Sequence, residues 1–486
     1  MRQLSQSLAA NLAVLDKMFG TSADYYAKEI TIYHCRGSIL LFDGMASLDS
    51  LWELLLDAAS RQAPPQQAGQ RCTGPQVFEL ILHGSAFPAE SEPVTDLADL
   101  IKRMTAGMAV LLLDGCAKGI AFSVQGLKFR SVDEPSGEGN LRGSREGFAD
   151  LLRVNLSLLR RLIRTEHLVQ EVAQADTEMQ TEYAICYCKN RADSAMVIRV
   201  RKALAAAKPE LLLDSSYFVP WLLPGKARLF TPVSYTERPA VAAAKICEGK
   251  IVVLVNGSPS AMVLPALFCE NFECLDDYAS TAVFSSFLRI LKYVSFYLTV
   301  FLPGVFVCLA VYLPELIPPQ LLYKIEAAEK ATPLPLFAEM LLVILILEVI
   351  REAGLRMPQS LGHSVSLVSA LIIGDAAIAT GLMSTPVIFV ASITAIAVFV
   401  TPSLYEPATL LRLGVVLAAG LAGPVGLAGA FFAGLLSLSG TACLQVPYLA
   451  AHPFPQRPME EDGIIRRNYR RLSAHDFNIW QKREGK

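Results

Sequence analysis

The sequence lacks the motifs of the common enzyme classes and the closely spaced ligand sets of metal centres. It contains no Walker loop, no G-x-G-x-x-G, no G-x-S-x-G and no H-E-x-x-H, which argues against nucleotide-binding enzymes, serine hydrolases and zinc proteases. The six histidines are dispersed, and none lies at metal-ligand spacing from other ligands in a convincing set. We therefore expect no catalytic residues, no cofactor and no metal site.

A disulfide framework and a strong charge of one sign are also missing. The ten cysteines are scattered without a C-x-x-C pair, and the formal net charge is −2. Scattered thiols are typical of reduced residues in a cytosolic protein, and a near-neutral chain lacks the basic face of a nucleic-acid-binding protein. The first twenty residues have apolar residues at helical spacing, with Asp16 and Lys17 among them. We expect an amphipathic helix there, not a secretory signal, and therefore a cytosolic head.

What the sequence does contain is a long apolar second part. Up to about residue 285, apolar and charged residues alternate as in a soluble α/β protein, whereas Tyr293–Leu313 has 21 residues without a charge. About 20 apolar residues are enough to cross the hydrocarbon core as a helix. We predict an α/β cytosolic head of two subdomains followed by an α-helical polytopic membrane domain. The predicted bounds are 1–135 and 136–285 for the subdomains, 286–455 for the membrane domain and 456–486 for a basic cytosolic tail.

Short aliphatic or β-branched runs bounded by turn residues predict the strands of the head. The predicted strands are 29–33, 38–43, 109–113, 119–124, 183–187, 250–255 and 261–264. The predicted helices are 48–58, 97–104, 147–163, 194–206 and 241–247. Asn256-Gly257 is expected to form a tight hairpin turn. We find no internal repeat in the sequence, although this order is compatible with two similar α/β units.

Prolines make the membrane part irregular. Residues 314–335 hold five prolines and several charges, so this region is expected at an interface. Leu413–Leu444 is uncharged but interrupted by Pro424, which is compatible with two short helices or one kinked pair. Basic residues precede the first span and fill the tail, so both ends are expected in the cytosol. We expect four full spans plus one or two half-inserted segments, with six spans as the alternative.

Charged residues within the apolar runs are the candidate functional residues. A charged side chain at the bilayer centre costs about 2.5–3.5 kcal/mol on insertion scales, so such residues often mark a path or a switch. Glu348 and Asp375 are the candidate ion path, with equal support for a structural ion pair. Arg351, Glu352 and Arg356 form a candidate polar network, and for these an ion pair near the interface is the favoured interpretation.

Several short motifs, in their order and spacing, resemble those of a known family. In the head they are Arg142-Gly143-Ser144-Arg145-Glu146-Gly147-Phe148, Tyr235-Thr236-Glu237-Arg238-Pro239, Asn256-Gly257-Ser258-Pro259 and Asp276-Asp277-Tyr278. In the membrane part they are Glu348, Arg351-Glu352-Ala353-Gly354, Gly374-Asp375-Ala376-Ala377 and Val446-Pro447-Tyr448-Leu449. Together they resemble the A-subunit class of the GerA-type spore germination proteins over nearly the whole chain. The R-G-S-R-E-G-F form is most similar to the AF type of stage V sporulation proteins, while Ala240 stands where the family usually has an acidic residue.

The resemblance implies a multi-pass protein of the spore inner membrane. Family A subunits are thought to oligomerise into a cation-conducting channel and to act with B- and C-type subunits or with a small membrane partner. The expected partners are therefore the lipid bilayer, further copies of the chain, other germination proteins and monovalent cations. Candidate residues for head assembly lie in the head motifs and are Arg142, Arg145, Glu237, Arg238 and Asp277. The alternative hypothesis is a non-conducting membrane scaffold that recruits or stabilises other germination proteins.

Overall fold

The chain folds as an α/β head followed by a helical region, which confirms the predicted fold class. A computed structural model describes residues 3–32, 34–46, 73–83, 91–124, 135, 138–139, 142–223, 225, 228–356, 376–449 and 464–466. The predicted helix 48–58 and the candidate residue Asp375 lie outside these residues. The domain bounds at residues 135 and 285 stay predictions.

The first unit of the head is a five-stranded antiparallel sheet with helices on both faces. Its strands are β1 (Tyr25–Ile32), β2 (Cys35–Phe42), β3 (Ser91–Val94), β4 (Ala109–Leu113) and β5 (Gly119–Phe122), arranged β1-β2-β4-β5-β3. One face is covered by α2 (Gly74–His83), and the other by α1 (Leu8–Phe19) and α3 (Leu97–Thr105). Strand β4 is buried along its whole length, because its aliphatic side chains pack on both faces.

The second unit is built in the same way. Its strands are β6 (Leu168–Gln174), β7 (Glu182–Cys188), β8 (Ser234–Thr236), β9 (Ile251–Val255) and β10 (Ala261–Leu264), arranged β6-β7-β9-β10-β8. Helices α4 (Leu152–Leu162) and α7 (Pro239–Cys247) cover one face, and α5 (Ser194–Ala206) and α6 (Val219–Leu222) cover the other. The sheet therefore has helices on both faces, like the sheet of the first unit.

The two units form an internal repeat, which the sequence analysis did not detect. Both have the strand order first, second, fourth, fifth, third, and the helices that start them carry matching contacts. Asn11 of α1 exchanges two hydrogen bonds with the backbone of Ser5. Asn155 of α4 exchanges the same two with the backbone of Ala149. Because these two bonds hold residues 149–151 in a loop, α4 begins at residue 152 and not at 147 as predicted.

The turns between the last two strands of each unit match as well. The backbone N–H of Leu8, at the start of α1, donates to Asp114, and that of Leu152, at the start of α4, donates to Asn256. Each turn therefore also caps the first helix of its own unit. The hairpin predicted at Asn256-Gly257 is confirmed, because β9 and β10 pair antiparallel and Gly257 has a φ of 92°.

Helices dominate the remainder of the described chain. They are α8 (Leu275–Ala279), α9 (Ala282–Tyr312), α10 (Pro319–Glu329), α11 (Leu336–Arg356), α12 (Thr385–Val398) and α13 (Tyr405–Ser439), followed by the short strands β11 (Ala442–Cys443) and β12 (Val446–Pro447). Two stretches among the described residues are long and apolar enough to cross a membrane, namely α9 and Pro402–Ser439. Helix α9 starts before the predicted span and continues through Pro303.

Helix α13 is a pair of antiparallel helices joined at Gly423. This residue has φ 58° and ψ −136°, a conformation that only glycine adopts readily. A Cβ at Gly426 would collide with the carbonyl oxygen of Ala418, and one at Gly434 would lie 3.4 Å from the side chain of Leu411. Residues this far apart along a straight helix cannot touch, since each residue adds about 1.5 Å. The chain therefore turns back at Gly423-Pro424, as the interpretation with two short helices predicts.

Helices α11 and α12 run parallel to each other. Ser384, which precedes α12, donates its backbone N–H to Glu339 near the start of α11. Tyr405, which follows α12, donates its hydroxyl to Glu348 further along α11. Helix α9 packs against both α12 and α13. The starts of α11 and α12 therefore lie at one end of the helical region, and both helices run toward the other end.

Candidate functional site

Glu348 of α11 is the centre of a charge cluster. Its Oε1 accepts a hydrogen bond from Arg412 of α13, and its Oε2 accepts one from the hydroxyl of Tyr405. Arg351 lies 3.8 Å from the Glu348 carboxylate and stacks on the ring of Tyr405. Within one protomer Glu348 is thus held in an ion pair. With one carboxylate and two guanidinium groups, these four residues carry a net positive charge.

The cluster lies well inside the apolar helix and is not fully covered. Helix α11 has 21 residues, so Glu348 stands about 18 Å from its start at 1.5 Å per residue. The side chains of Glu348 and Arg351 each keep 25% of their surface exposed, although apolar Leu345 and Val349 around them are exposed too. A charge in such surroundings requires water or another protein surface beside it.

Glu352 and Arg356 form a separate ion pair at the end of α11. The Nε atom of Arg356 lies 2.8 Å from Oε1 of Glu352, and the side chains are 80% and 60% exposed for the arginine and the glutamate. The geometry agrees with the favoured interpretation of an ion pair at a helix end. An exposed pair of this kind contributes little to stability.

The R-G-S-R and E-R-P motifs hold the loop before α4 against the second unit. Buried Arg238 donates to the backbone carbonyls of Glu138 and Ser144, the latter at 2.7 Å. The backbone N–H of Arg142 donates to Asp276 at 2.9 Å. Arg238 therefore has a structural role here, whereas the side chain of Arg142 is largely exposed.

The other two candidate residues of these motifs are placed nearby. The carbonyl of Glu237 accepts a hydrogen bond from the backbone of Phe148 at 2.7 Å. The matching bond in the first unit runs from Leu4 to Thr95. Arg145 is exposed in the same loop. The backbone of Glu237 is thus part of the repeated framework, and Arg145 lies on the surface.

Asp277 joins three segments of the chain where the head meets α9. Its carboxylate is 2% exposed and lies 3.1 Å from Arg289 Nε and 3.7 Å from Lys292 Nζ, both on α9. Arg466 of the tail donates to the backbone carbonyls of Asp277 and of Ser280, the latter at 3.0 Å. Buried charges of both signs therefore fix the end of the head, the start of α9 and the tail in one place.

A second buried cluster links the second unit to the segment before α8. Lys245 Nζ lies 2.9 Å from Glu270, 3.0 Å from Glu248 and 3.8 Å from Glu273, and fully buried Lys250 also pairs with Glu270. Burial opposes ionisation of Glu270, but Lys245 and Lys250 together lower its pKa to about 2. Burial raises the pKa of Glu273 to about 7, against the effect of Lys245. Glu273 therefore titrates near neutral pH.

The hairpin formed by β11 and β12, which follows α13, packs against the second unit of the head, and we call this contact the clasp. Cys443 of β11 is buried in the core of the second unit, and Arg228 donates to the carbonyl of Ala442 at 3.0 Å. The carbonyl of Tyr448 accepts from the backbone of Phe268 at 2.9 Å. The V-P-Y-L motif thus fastens the end of α13 to the same unit that leads into α9.

Arg412 and Glu339 are two charged residues of the helical region that the sequence analysis did not place among its candidate functional residues. Arg412 precedes the uncharged run that starts at Leu413, and its sign is opposite to that of Glu348. Opposite charges in separate apolar segments were therefore the sequence feature that could have predicted the pairing of Arg412 with Glu348. Glu339 stands in the apolar run that also contains Glu348, and it is fully buried.

Comparison with known proteins places the whole chain in one family. A family model described as Bacillus/Clostridium GerA spore germination protein matches residues 13–476. Spore germination protein KA of Bacillus subtilis (strain 168) is 30% identical over 466 residues, which are 95% of this chain and 84% of that protein. Stage V sporulation protein AF of the same organism is 28% identical over 435 residues, covering 88% of this chain and 86% of that protein.

One solved structure is similar to part of the chain. It is the N-terminal domain of the A subunit of the Bacillus megaterium spore germinant receptor GerK3, with 22% identity and a TM-score of 0.44, covering 55% of this chain and 97% of that chain. The family assignment itself comes from the sequence matches, which extend from the first helix of the head into the tail. This chain belongs to the GerA family of spore germination proteins.

Proposed function

We propose that this chain is an A-type germination subunit that assembles with copies of itself in the spore inner membrane and contributes to cation release as an ion channel. Its partners would be other germination proteins, of the B and C type or a small membrane protein. Membership of the GerA family supports the role in germination. The two apolar helical stretches support a place in the membrane.

One observation carries the channel proposal, namely the partial exposure of Glu348 and Arg351. Both side chains are 25% exposed on a helix whose neighbouring surface is apolar. Facing lipid at this depth, each charge would cost about 2.5–3.5 kcal/mol. A ring of copies removes this cost, because it covers the apolar surface and leaves the charges beside a water-filled path. Asp375 remains the second proposed residue of this path.

The helices also support the proposed number of spans. We assign the four full spans to α9, α11 and the two arms of α13, and a half-inserted segment to α12, which has 14 residues. The clasp at Cys443 returns the end of α13 to the head. Head and helix ends then lie on one side, which we propose is the cytosol.

Ion release from liposomes tests the channel. Purified full-length chain, with and without the candidate small membrane partner, is reconstituted into potassium-loaded liposomes, and potassium efflux is measured. We expect efflux from the unchanged chain and a several-fold change in Glu348→Gln and in Asp375→Asn. The matched control is Glu352→Gln, in an exposed pair at the helix end, which should leave efflux unchanged. Equal efflux from all four proteins would remove Glu348 and Asp375 from the path.

A non-conducting scaffold is the second candidate function, and the pairing of Glu348 with Arg412 favours it. A cluster with a net positive charge is a poor ligand for a cation. The head, which is held to the helices by the clasp, would provide a surface to which other proteins bind. This function predicts no efflux with or without the partner, while the partner still binds.

A further inference from the structure

Glu339 of α11 is a buried acid, and only one of its two carboxylate oxygens has a hydrogen-bond partner among the described residues. It has no exposed surface. Its Oε1 accepts the backbone N–H of Ser384, whereas its Oε2 has no hydrogen-bond partner among the described residues. A buried ionised group with one unpaired oxygen is strongly unfavourable. A ligand for Oε2 would complete the site.

Glu339 lies where a helical segment is interrupted. Residues 376–379 are helical, residues 380–383 form a turn in which Gly381 has a φ of 67°, and α12 begins after Ser384. Interrupted helices are where membrane proteins commonly bind ions, because the break leaves backbone groups available. The break therefore places backbone and hydroxyl oxygens on the segment that contacts Glu339.

A cavity lies beside this break, at the end of the helices away from the head. Phe337 of α11 packs against Gly420 next to the turn of α13, so α11 begins at this far end. The cavity has a volume of about 380 Å³ and is lined by the segment from Glu326 to Pro335. A Cβ built on Gly381, in the break, would lie 3.2 Å from the carbonyl oxygen of Ala331, so the break borders the segment that lines the cavity.

The charges of the cavity favour a cation. Its charged lining residues are Glu326, Glu329 and Lys330, and Lys330 lies 3.9 Å from Glu326. Glu329 leaves the lining with a net negative charge, and Glu339 lies next to it. Cations are therefore drawn toward the opening of the cavity.

We propose that Oε2 of Glu339 is a ligand of a monovalent cation bound at the break before α12. One carboxylate balances one positive charge, and the described residues contain no group of three or more metal-binding side chains for a divalent ion. Equilibrium binding at Glu339 goes beyond the proposed channel and can be tested without any ion flow.

Binding of rubidium ions to the full-length chain in detergent tests the site. Equilibrium dialysis should find about one rubidium ion per chain that Glu339→Gln loses. The change keeps an acceptor for the N–H of Ser384, so it removes the charge with little change in shape. Glu339→Asp keeps the charge but shortens the side chain, and should weaken binding by about tenfold, equivalent to 1.4 kcal/mol. The matched control Glu329→Gln changes an acid of the cavity and should keep the ion.

Thermal unfolding adds a second measurement to guard against misfolding. The melting temperature of the unchanged chain should be higher in potassium chloride than in N-methylglucamine chloride, and Glu339→Gln should abolish this difference. Rubidium binding that persists in Glu339→Gln would overturn the proposal. So would a melting temperature that is the same in potassium chloride and in N-methylglucamine chloride, because no bound potassium ion would then stabilise the folded chain. Rubidium binding without potassium efflux from liposomes would reject the channel and retain the site.

Discussion

At the scale of single residues, the two units of the head meet at a buried ion pair. Arg160 of α4 contacts Asp24 through two hydrogen bonds of 2.6 and 2.9 Å, and the two side chains are 0% and 5% exposed. The guanidinium also lies 4.5 Å from the ring centre of Phe42. Removing one partner of such a pair leaves the other charge buried and uncompensated.

We predict that Asp24→Asn lowers the free energy of unfolding of the head by about 3–5 kcal/mol. Pulse proteolysis of the full-length chain in urea and detergent measures the effect. The control is Arg153→Met, which breaks the exposed pair with Asp43, with side chains 77% and 42% exposed. It should cost less than about 1 kcal/mol. Equal losses in the two variants would show that the pair between the units is not important for stability.

Glu273 should make the stability of the head depend on pH near neutrality. Burial raises its pKa from the ordinary 4.5 to about 7, with Glu270 and Glu248 adding to the shift and Lys245 and Arg289 opposing it. The folded chain thus holds this proton more tightly than the unfolded chain does. The stability that the proton provides is present below pH 4.5 and is lost as the pH rises through about 7.

We therefore predict that the melting temperature of the full-length chain falls between about pH 5 and pH 8, and that Glu273→Gln flattens this decline. The loss in the unchanged chain is on the order of 2–3 kcal/mol. Glu166→Gln, a surface carboxylate 36% exposed, is the matched control and should keep the decline. A decline that Glu273→Gln leaves intact would assign it to another group.

The sequence identified the charged residues and their partners one helical turn away, but not the partners that lie far along the chain. Glu348 and Arg351 are one turn apart, so their proximity follows from helical spacing. Arg412 is 64 positions from Glu348 along the chain, and only the packing of α13 against α11 brings them together. Asp277 was found through its motif, but its contact with Arg466, across 189 positions, depends on where the tail returns.

At the scale of elements, the turn at Gly423 decides how α13 folds. Its φ of 58° and ψ of −136° exclude other residues without strain. A Cβ there would also lie 2.8 Å from the ring of Tyr312 at the end of α9. We predict that Gly423→Ala lowers the melting temperature of the full-length chain by several degrees. Gly429→Ala is the matched control, because its added Cβ meets no atom within 4 Å, and it should be neutral.

A cysteine pair shows whether the two arms stay together in these variants. Leu411 lies in one arm and Gly434 in the other, and a Cβ built on the glycine lies 3.4 Å from Cδ2 of the leucine. Cysteines at both positions should therefore form a disulfide in the control background and form it slowly in Gly423→Ala. Equal rates of disulfide formation would mean that the turn tolerates a side chain.

The central strands could be predicted from the sequence, whereas β1 was the one edge strand among the described residues that was predicted. Strands β4, β9 and β10 are short apolar runs buried on both faces, which is the pattern that the prediction used. The missed strands β3, β6 and β8 all lie at sheet edges, and β3 and β8 have only four and three residues and lack such a run. The repeat was missed because its matching positions keep contacts, such as those of Asn11 and Asn155, while most surrounding residues differ.

At the scale of the whole molecule, the second unit of the head is fastened to the helices at two places. Asp277 holds the start of α9 through Arg289 and Lys292, and the clasp holds the end of α13 through Tyr448 and Cys443. Because α9 and α13 also pack along each other, a rotation of this unit would move both helices together. A displacement of this unit would therefore be felt by both helices of the helical region.

Cysteine crosslinking tests whether copies of the chain assemble around the exposed charges on α11. If a neighbouring copy covers the surface around Glu348, then a cysteine at Val349, now 68% exposed, should crosslink between copies in the native membrane. The control position is Phe287 on α9, 60% exposed and at a similar distance from the head-side end of its helix, which should face lipid and stay unlinked. Both variants need Cys247→Ser, because that thiol is exposed. Linking at Phe287 in place of Val349 would put the charges of α11 outside the contact between copies, and would remove the argument for a water-filled path beside them.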